Sequence, residues 1–235
     1  MDRFERPQLF IGIDDTDTPT SRGTGNLARQ IAAELAVDYR VLGVTRHQLL
    51  VDPRVPYTAK NSSTTILLGA NGRTDIDAVA ARVEAMMREQ FKPGSDPGLC
   101  IAPAAPAAIT AFGRRVQQEV VEQADARTLA AAHGIRLMGL GGTEDGVIGA
   151  LAAVGLAACG HDGRYVLVGR VRRLSGPQSV ATVLAAGVAE VRTLSGRPVT
   201  EGLLLIDKLR PARRGARPIV FVERVNGYWR PLKLD

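Results

Sequence analysis

The chain has 235 residues, a formal net charge of +6, 45% hydrophobic and 23% charged residues, an ordinary make-up for a globular protein able to bury a core. No stretch approaches the length of a membrane span and the N-terminal residues lack a signal-peptide pattern, so a cytoplasmic protein with no membrane partner is expected. Cys100 and Cys159 stand far apart with no CxxC or Cys/His cluster, which argues against a zinc site.

In chain order, the apolar run 9–13 predicts a buried strand over 8–14, followed by a polar loop over 15–24. Leu27, Ile31 and Leu35 recur every four residues and predict a helix over 25–37. A strand over 39–49, a loop over 50–61, a strand over 63–69 and a helix over 75–91 follow, the helix started by Thr74 as its cap with Asp77 three residues on. Pro93, Gly94, Pro97 and Gly98 punctuate a break. A short strand over 99–101 and helices between 105 and 132 complete an α/β pattern.

From Gly134 the texture changes. A strand over 135–138 leads through a glycine-rich loop to an all-apolar, small-residue helix over 147–158, in which Gly149 and Gly155 permit close backbone contact. Strands are expected at 164–171, 187–193, 202–206 and 218–224, and Asn226-Gly227 is a hairpin signal leading into 228–233. The expected architecture is two-lobed, with an α/β unit over 1–133 and an α+β unit over 134–235.

The loop after the first strand carries Asp14, Asp15, Thr16, Asp17 and Thr18. Three carboxylates in four residues repel one another unless a cation compensates. Hard cations take oxygen ligands, and a Mg²⁺ that keeps most of its waters needs only two carboxylates to bridge nucleotide phosphates. Asp14, Asp15 and Asp17 are therefore the candidate metal and catalytic residues, with Thr16 and Thr18 beside them at the cofactor. If the segment stays extended, Asp14 and Thr16 face one way and Asp15 and Asp17 the other. Thr24 reads first as an N-cap, which is also where anions bind.

Lys60, in a polar loop before a strand, can neutralise phosphate oxygens, or the loop is simply exposed. Gly141 and Gly142 belong to a loop that precedes a helix as phosphate-cradling loops do, although it matches neither common phosphate-binding motif. His47, His133 and His161 are isolated and receive no catalytic role. Arg164, Arg170, Arg172 and Arg173, and later Lys208, Arg210, Arg213 and Arg214, crowd the C-terminal half, which points to an anionic partner such as a nucleotide or nucleic acid, or to a solvated face.

Residues 12–18, 56–63 and 146–155 resemble, in this order, motifs of the archaeal tRNA(Ile) agmatidine synthetases. The likeness covers residues 8–160. It implies a kinase-like domain that binds ATP and Mg²⁺, followed by a ferredoxin-like domain, and a reaction in which a carbonyl oxygen is phosphorylated and an amine displaces it. It also implies that Asp14, Asp15 and Asp17 handle metal and ATP, and that Thr24 falls on the family's phosphorylated threonine. The Arg of the second motif is Lys60 here. The family's OB-fold and zinc ribbon have no counterpart, so the expected acceptor is a free nucleotide or a small carbonyl-bearing or anionic metabolite, with tRNA not favoured.

Two rivals remain. Asp15-Thr16-Asp17-Thr18 approaches the nucleophile motif of haloacid-dehalogenase phosphatases, though Pro19 breaks it. The other is a non-catalytic nucleotide- or RNA-binding protein that works through its basic half.

Overall fold

The computed structural model describes residues 4–56, 61–70 and 74–234. Lys60, expected at the phosphates, lies outside the described residues. The first half of the chain runs β1 (Leu9–Asp14), α1 (Thr24–Leu35), β2 (Val41–Gln48), β3 (Ser62–Leu68), α2 (Ile76–Gln90), β4 (Gly98–Ala102), α3 (Ala107–Val116), α4 (Gln123–Ala132), β5 (Arg136–Gly139) and α5 (Gly146–Cys159). The second half runs β6 (Arg164–Leu167), a 3₁₀ turn at Val171–Arg173, β7 (Gly176–Ser179), α6 (Val180–Ala185), β8 (Glu190–Thr193), β9 (Leu203–Ile206), β10 (Ala212–Arg214), β11 (Arg217–Val225) and β12 (Tyr228–Pro231).

The fold is mixed α/β, with six α-helices among the described residues. Twelve strands form one sheet in the order β5-β4-β1-β3-β2-β6-β10-β11-β12-β9-β7, with β8 paired to β11. Among the described pairings β8–β11 and β9–β12 are parallel and the rest antiparallel. The boundary expected at residue 133 falls between α4 and β5. β5 pairs with β4, and α5 packs on β1, β3 and β4, so pairing and packing continue across it.

Strand alternation divides the core. Leu9, Ile11 and Ile13 of β1 join Ile66 and Leu68 of β3 beneath α1 and α2, which supply Leu27, Ile31, Leu35, Val79, Val83 and Met87. Phe10, Leu67 and Cys100 point the other way, to α3 and α5. α5 is apolar all round because sheet, α3 and α4 enclose it. It also lies unusually close to the strands: a β-carbon on Gly12 would overlap the Ala150 carbonyl, and one on Gly98 would overlap the Gly146 carbonyl.

The C-terminus of α5 is closed by Gly160 in the left-handed conformation (φ 75°) and by a buried arginine. Arg213 of β10 donates from Nε and Nη2 to the Ala157 carbonyl (3.1 and 3.0 Å), and from Nη1 to the Tyr165 hydroxyl (2.6 Å) and the Ala216 carbonyl (3.1 Å). The helix dipole and these acceptors compensate the cation.

The strands expected at 187–193, 202–206 and 218–224 form as β8, β9 and β11, and Asn226 and Gly227 make the turn with φ of 48° and 83°. Asp75, rather than Thr74, caps α2 by accepting from the Ala78 N–H (3.0 Å). Two outcomes test this packing. Gly12→Ala should lower stability by about 2 kcal/mol, because backbone rather than a flexible side chain blocks the new methyl. Arg213→Lys should cost about 2 kcal/mol or more, since an ammonium cannot reach three separate acceptor groups. Both are read from urea or thermal unfolding midpoints.

Candidate functional site

The site forms where β1 ends. Asp15 adopts the left-handed backbone conformation (φ 47°), which a short polar side chain tolerates. Extended alternation therefore stops at Asp15, and Asp14, Asp15 and Asp17 all line one cleft of about 220 Å³. The same cleft is lined by Asn61 and Ser62 before and at the start of β3, by Val116, Val120 and Val121 at the end of α3, and by Asp145, Gly146, Ile148 and Gly149 at the start of α5.

Thr24 does not cap α1. The N-cap position is Gly23, and the helix begins at Thr24 itself. The Thr24 N–H (3.0 Å) and hydroxyl (2.7 Å) both donate to Asp17 Oδ1, so Asp17 supplies the helix N-terminus with its acceptor from the preceding loop. Buried Thr16 donates to the Thr24 hydroxyl from its N–H (3.3 Å) and its own hydroxyl (3.2 Å). A chain of donors thus runs Thr16 to Thr24 to Asp17 and orients the Thr24 oxygen at the cleft wall.

Burial pushes the Asp14 carboxyl up to about 8, with help from the charges of Asp15 and Asp17 and against a hydrogen bond from the Asp15 N–H. A β-carbon on Gly149 would overlap this carboxylate, so the glycine is what admits it. Asp15 is raised to about 6 by burial, then by Asp96, Asp17 and Asp145. Asp96 and Asp145 are not among the residues singled out from the sequence. Asp96 Oδ1 accepts from the Thr143 N–H (2.5 Å), and Asp145 accepts from Gln123 Nε2 (2.6 Å) and the Thr143 hydroxyl (3.0 Å). A carboxylate just before β4, which runs antiparallel to β1, was the available signal.

The remaining candidates are placed differently. Gly141 and Gly142 do not line the cleft: Gly141 lies against the Phe91 ring and Gly142 (φ 60°) against the Asp96 carboxylate. Their loop delivers Thr143 to Asp96. The Thr18 N–H donates to Ser21 Oγ (2.8 Å), and Thr16 faces a second depression beside Ser21, Asn26 and Lys92. His47 is buried outside the cleft, bonded to Thr45 Oγ1 (2.9 Å) and Asp162 Oδ1 (2.7 Å), and burial pushes its pKa down. Gln117 donates to Asp162 (2.9 Å) and to the Gln48 carbonyl (2.9 Å), which ties the α3 wall to β2.

Among the described residues no group of three or more His, Cys, Asp or Glu side chains is arranged to hold a metal ion. Asp17 is engaged by Thr24, which leaves Asp14 and Asp15. That donor pair fits a Mg²⁺ completed by water and phosphate rather than a protein cage. Among the described residues no helix is long and apolar enough to cross a membrane.

No protein-family model matches the chain, and no curated protein matches it. Solved structures do. A tRNA fluorescent labeling enzyme is 25% identical with a TM-score of 0.55, over 63% of this chain and 35% of that one. TiaS in complex with an isoleucine tRNA and ATP is 24% identical (TM-score 0.56), over 64% of this chain and 36% of that one. TiaS with the same tRNA, AMPCPP and agmatine is 22% identical (TM-score 0.54), over 64% and 36%. The chain thus matches about a third of the length of these proteins. Over the matched 63–64% of this chain the shared fold is mixed α/β.

The cleft charges set a pH dependence. Asp14 and Asp15 have folded-state pKa values above the ordinary 3.8, so their contribution to stability is complete below about 3.8 and is lost as pH rises through about 6 and about 8. In metal-free buffer the thermal midpoint should fall between pH 5 and pH 9. Asp14→Asn should flatten that fall and raise the midpoint at pH 8; an unchanged slope in the variant would contradict the assignment.

Proposed function

We propose that this chain is an ATP-dependent tRNA-modifying enzyme with chemistry of the agmatidine-synthetase type. It transfers a phosphoryl group from ATP to a carbonyl oxygen of a nucleotide base, and an amine nitrogen then attacks that carbon as phosphate leaves. The observation that carries the reading is the acidic cleft at the end of β1, where Asp14 and Asp15 are held together on a fold shared with proteins solved bound to ATP and tRNA. In this reading residues 1–133 form the kinase-like lobe and residues 134–235 the ferredoxin-like one, whose α5 packs on β1, β3 and β4 of the first.

Asp14 and Asp15 would hold Mg²⁺, which supplies compensation for the phosphate charges when bound. Asp17 holds the Thr24 hydroxyl at 2.7 Å, the pairing of a nucleophile with a base, so Thr24 is proposed as a second phosphoryl acceptor beside the base oxygen: its oxygen takes the γ-phosphoryl group, its proton passes to Asp17 and ADP leaves. The amine has a fitting environment. Asp96 and Asp145 add negative charge to the cleft, and Leu49, Leu50, Val116, Val120 and Ile148 give it an apolar wall for an aliphatic stem. The tRNA complexes of the neighbours support tRNA as the acceptor, where the sequence favoured a free nucleotide or small metabolite.

Calorimetric titration of ATP with and without Mg²⁺ tests the site. Binding should require Mg²⁺, and Asp15→Asn, which tolerates the same backbone conformation, should weaken it at least tenfold. Intact-mass analysis after incubation with Mg-ATP should show one added phosphate, absent from Thr24→Ala. Binding that is indifferent to Mg²⁺ or to the substitution would overturn the proposal.

A further inference from the structure

We propose that the sheet face beneath α1, at the same end as the cleft, is a binding surface for the phosphate backbone of RNA, built from Arg29, Arg46, Arg164, Arg172, Lys208 and Arg210. The surface names where the acceptor of the proposed reaction would dock and rests on that reading for the identity of the RNA.

Strand register assembles the row. Arg46 of β2 stands directly opposite Arg164 of β6, and Arg164 stands opposite Ala212 of β10. Val44 and Val166 point into the core under α1 and α2, so Arg46 and Arg164, two residues away on the same strands, share that face. Arg210 precedes Ala212 by two residues and lies within interaction range of Arg164, Arg172 and Arg29. Arg172 turns back along β6, its Nη1 donating to the Val166 carbonyl (3.3 Å). Arg29 enters from α1, held by the Gly25 carbonyl (2.5 Å) and Asn26 Oδ1 (3.2 Å). Lys208 lies within range of Arg210, Arg172 and Arg29.

Elsewhere this protein matches its arginines with carboxylates: Arg82 with Glu34 and Asp38, Arg115 with Glu119 and Asp125, Arg127 with Glu144. Among the described residues, no carboxylate forms an ion pair with Arg29, Arg172, Lys208 or Arg210, and the hydrogen bonds of the three arginines go to carbonyls and an amide. Partial burial and the neighbouring arginines push Arg210 down to about 10, the direction that mutual repulsion produces.

The shape of the cluster selects the ligand. Arg46 on β2, Arg164 on β6 and Arg210 just before β10 spread over three neighbouring strand positions, about 10 Å, a row for successive phosphates rather than a pocket for one. The row also begins at the cleft: Arg46 Nε donates to Ser62 Oγ (2.9 Å), and Ser62 lines the cleft. A backbone lying along the row therefore delivers its next nucleotide to the acidic site.

The test is fluorescence anisotropy of labelled bulk tRNA against the full chain, titrated at several KCl concentrations. The double variant Arg172→Glu/Lys208→Glu alters exposed side chains. It should bind at least tenfold more weakly than the native chain and reduce the salt slope by about two, one for each lost phosphate contact. Arg197→Glu, an exposed arginine outside the cluster, should change neither. Native affinity and slope in the double variant, an equal loss in Arg197→Glu, or no tRNA binding by the native chain would each overturn the surface. Retention on phosphatidylserine vesicles in place of tRNA would overturn it too. Mg-ATP titration on the same samples separates the two readings. ATP binding intact with tRNA affinity insensitive to the variant removes the surface alone; tRNA binding lost in the variant with no ATP binding supports the surface and removes the synthetase.

Discussion

The rest of this architecture depends on the close approach of α5 to the strands beneath it. Gly12 faces Ala150, Gly98 faces Gly146, and Gly149 faces Asp14, and at each contact a β-carbon would overlap backbone or carboxylate atoms. Because those carbons are missing, the first turn of α5 settles onto the ends of β1 and β4, and the Gly146 N–H donates to the Asp96 carbonyl (2.9 Å). That docking removes water from Asp14 and gathers Asp15, Asp96 and Asp145 around it. The acidic cleft thus follows from backbone packing, and its cost is carboxylates held well above their ordinary pKa.

Much of this was legible in the chain. The apolar run into Asp14 could only be a buried strand, and the small-residue run of α5 could only be an enclosed helix. Leu27, Ile31 and Leu35 marked the buried stripe of α1, and Asn226-Gly227 marked its hairpin. These signals are local: a period, a composition, a turn type. The cluster of aspartates was legible as a site for the same reason, since adjacent like charges are unfavourable without a compensating ligand.

What the chain does not reveal locally depends on geometry between segments. Alternation divided the aspartates between two faces, and the left-handed backbone at Asp15 reunited them; periodicity carries no sign of such a residue. Asp96 sat in a Pro/Gly-rich break that read as punctuation, and only the antiparallel pairing of β4 with β1 brings it to the cleft. β7, α6 and β10 are short, four, six and three residues, and their stability comes from partners rather than propensity. Thr24 stands where hydroxyls favour capping, yet Asp17 takes the capping role across seven residues and leaves the hydroxyl as its donor.

The two charge clusters belong to one arrangement. They meet at the same end of the sheet, where Arg46 bonds Ser62 at the cleft edge, with Asp14 against α5 and Arg29 on α1. Folding pairs opposite charges readily in this molecule, as Arg82 and Arg115 show, so the lack of a carboxylate ion pair at Arg29, Arg172, Lys208 and Arg210 among the described residues is a departure from its own practice. A polyanion satisfies the basic row directly, and it can enter the acidic cleft only with a cation beside it. A phosphate-bearing chain crossing the sheet end with a divalent ion at its reactive terminus meets both requirements, and neither cluster alone would demand that combination.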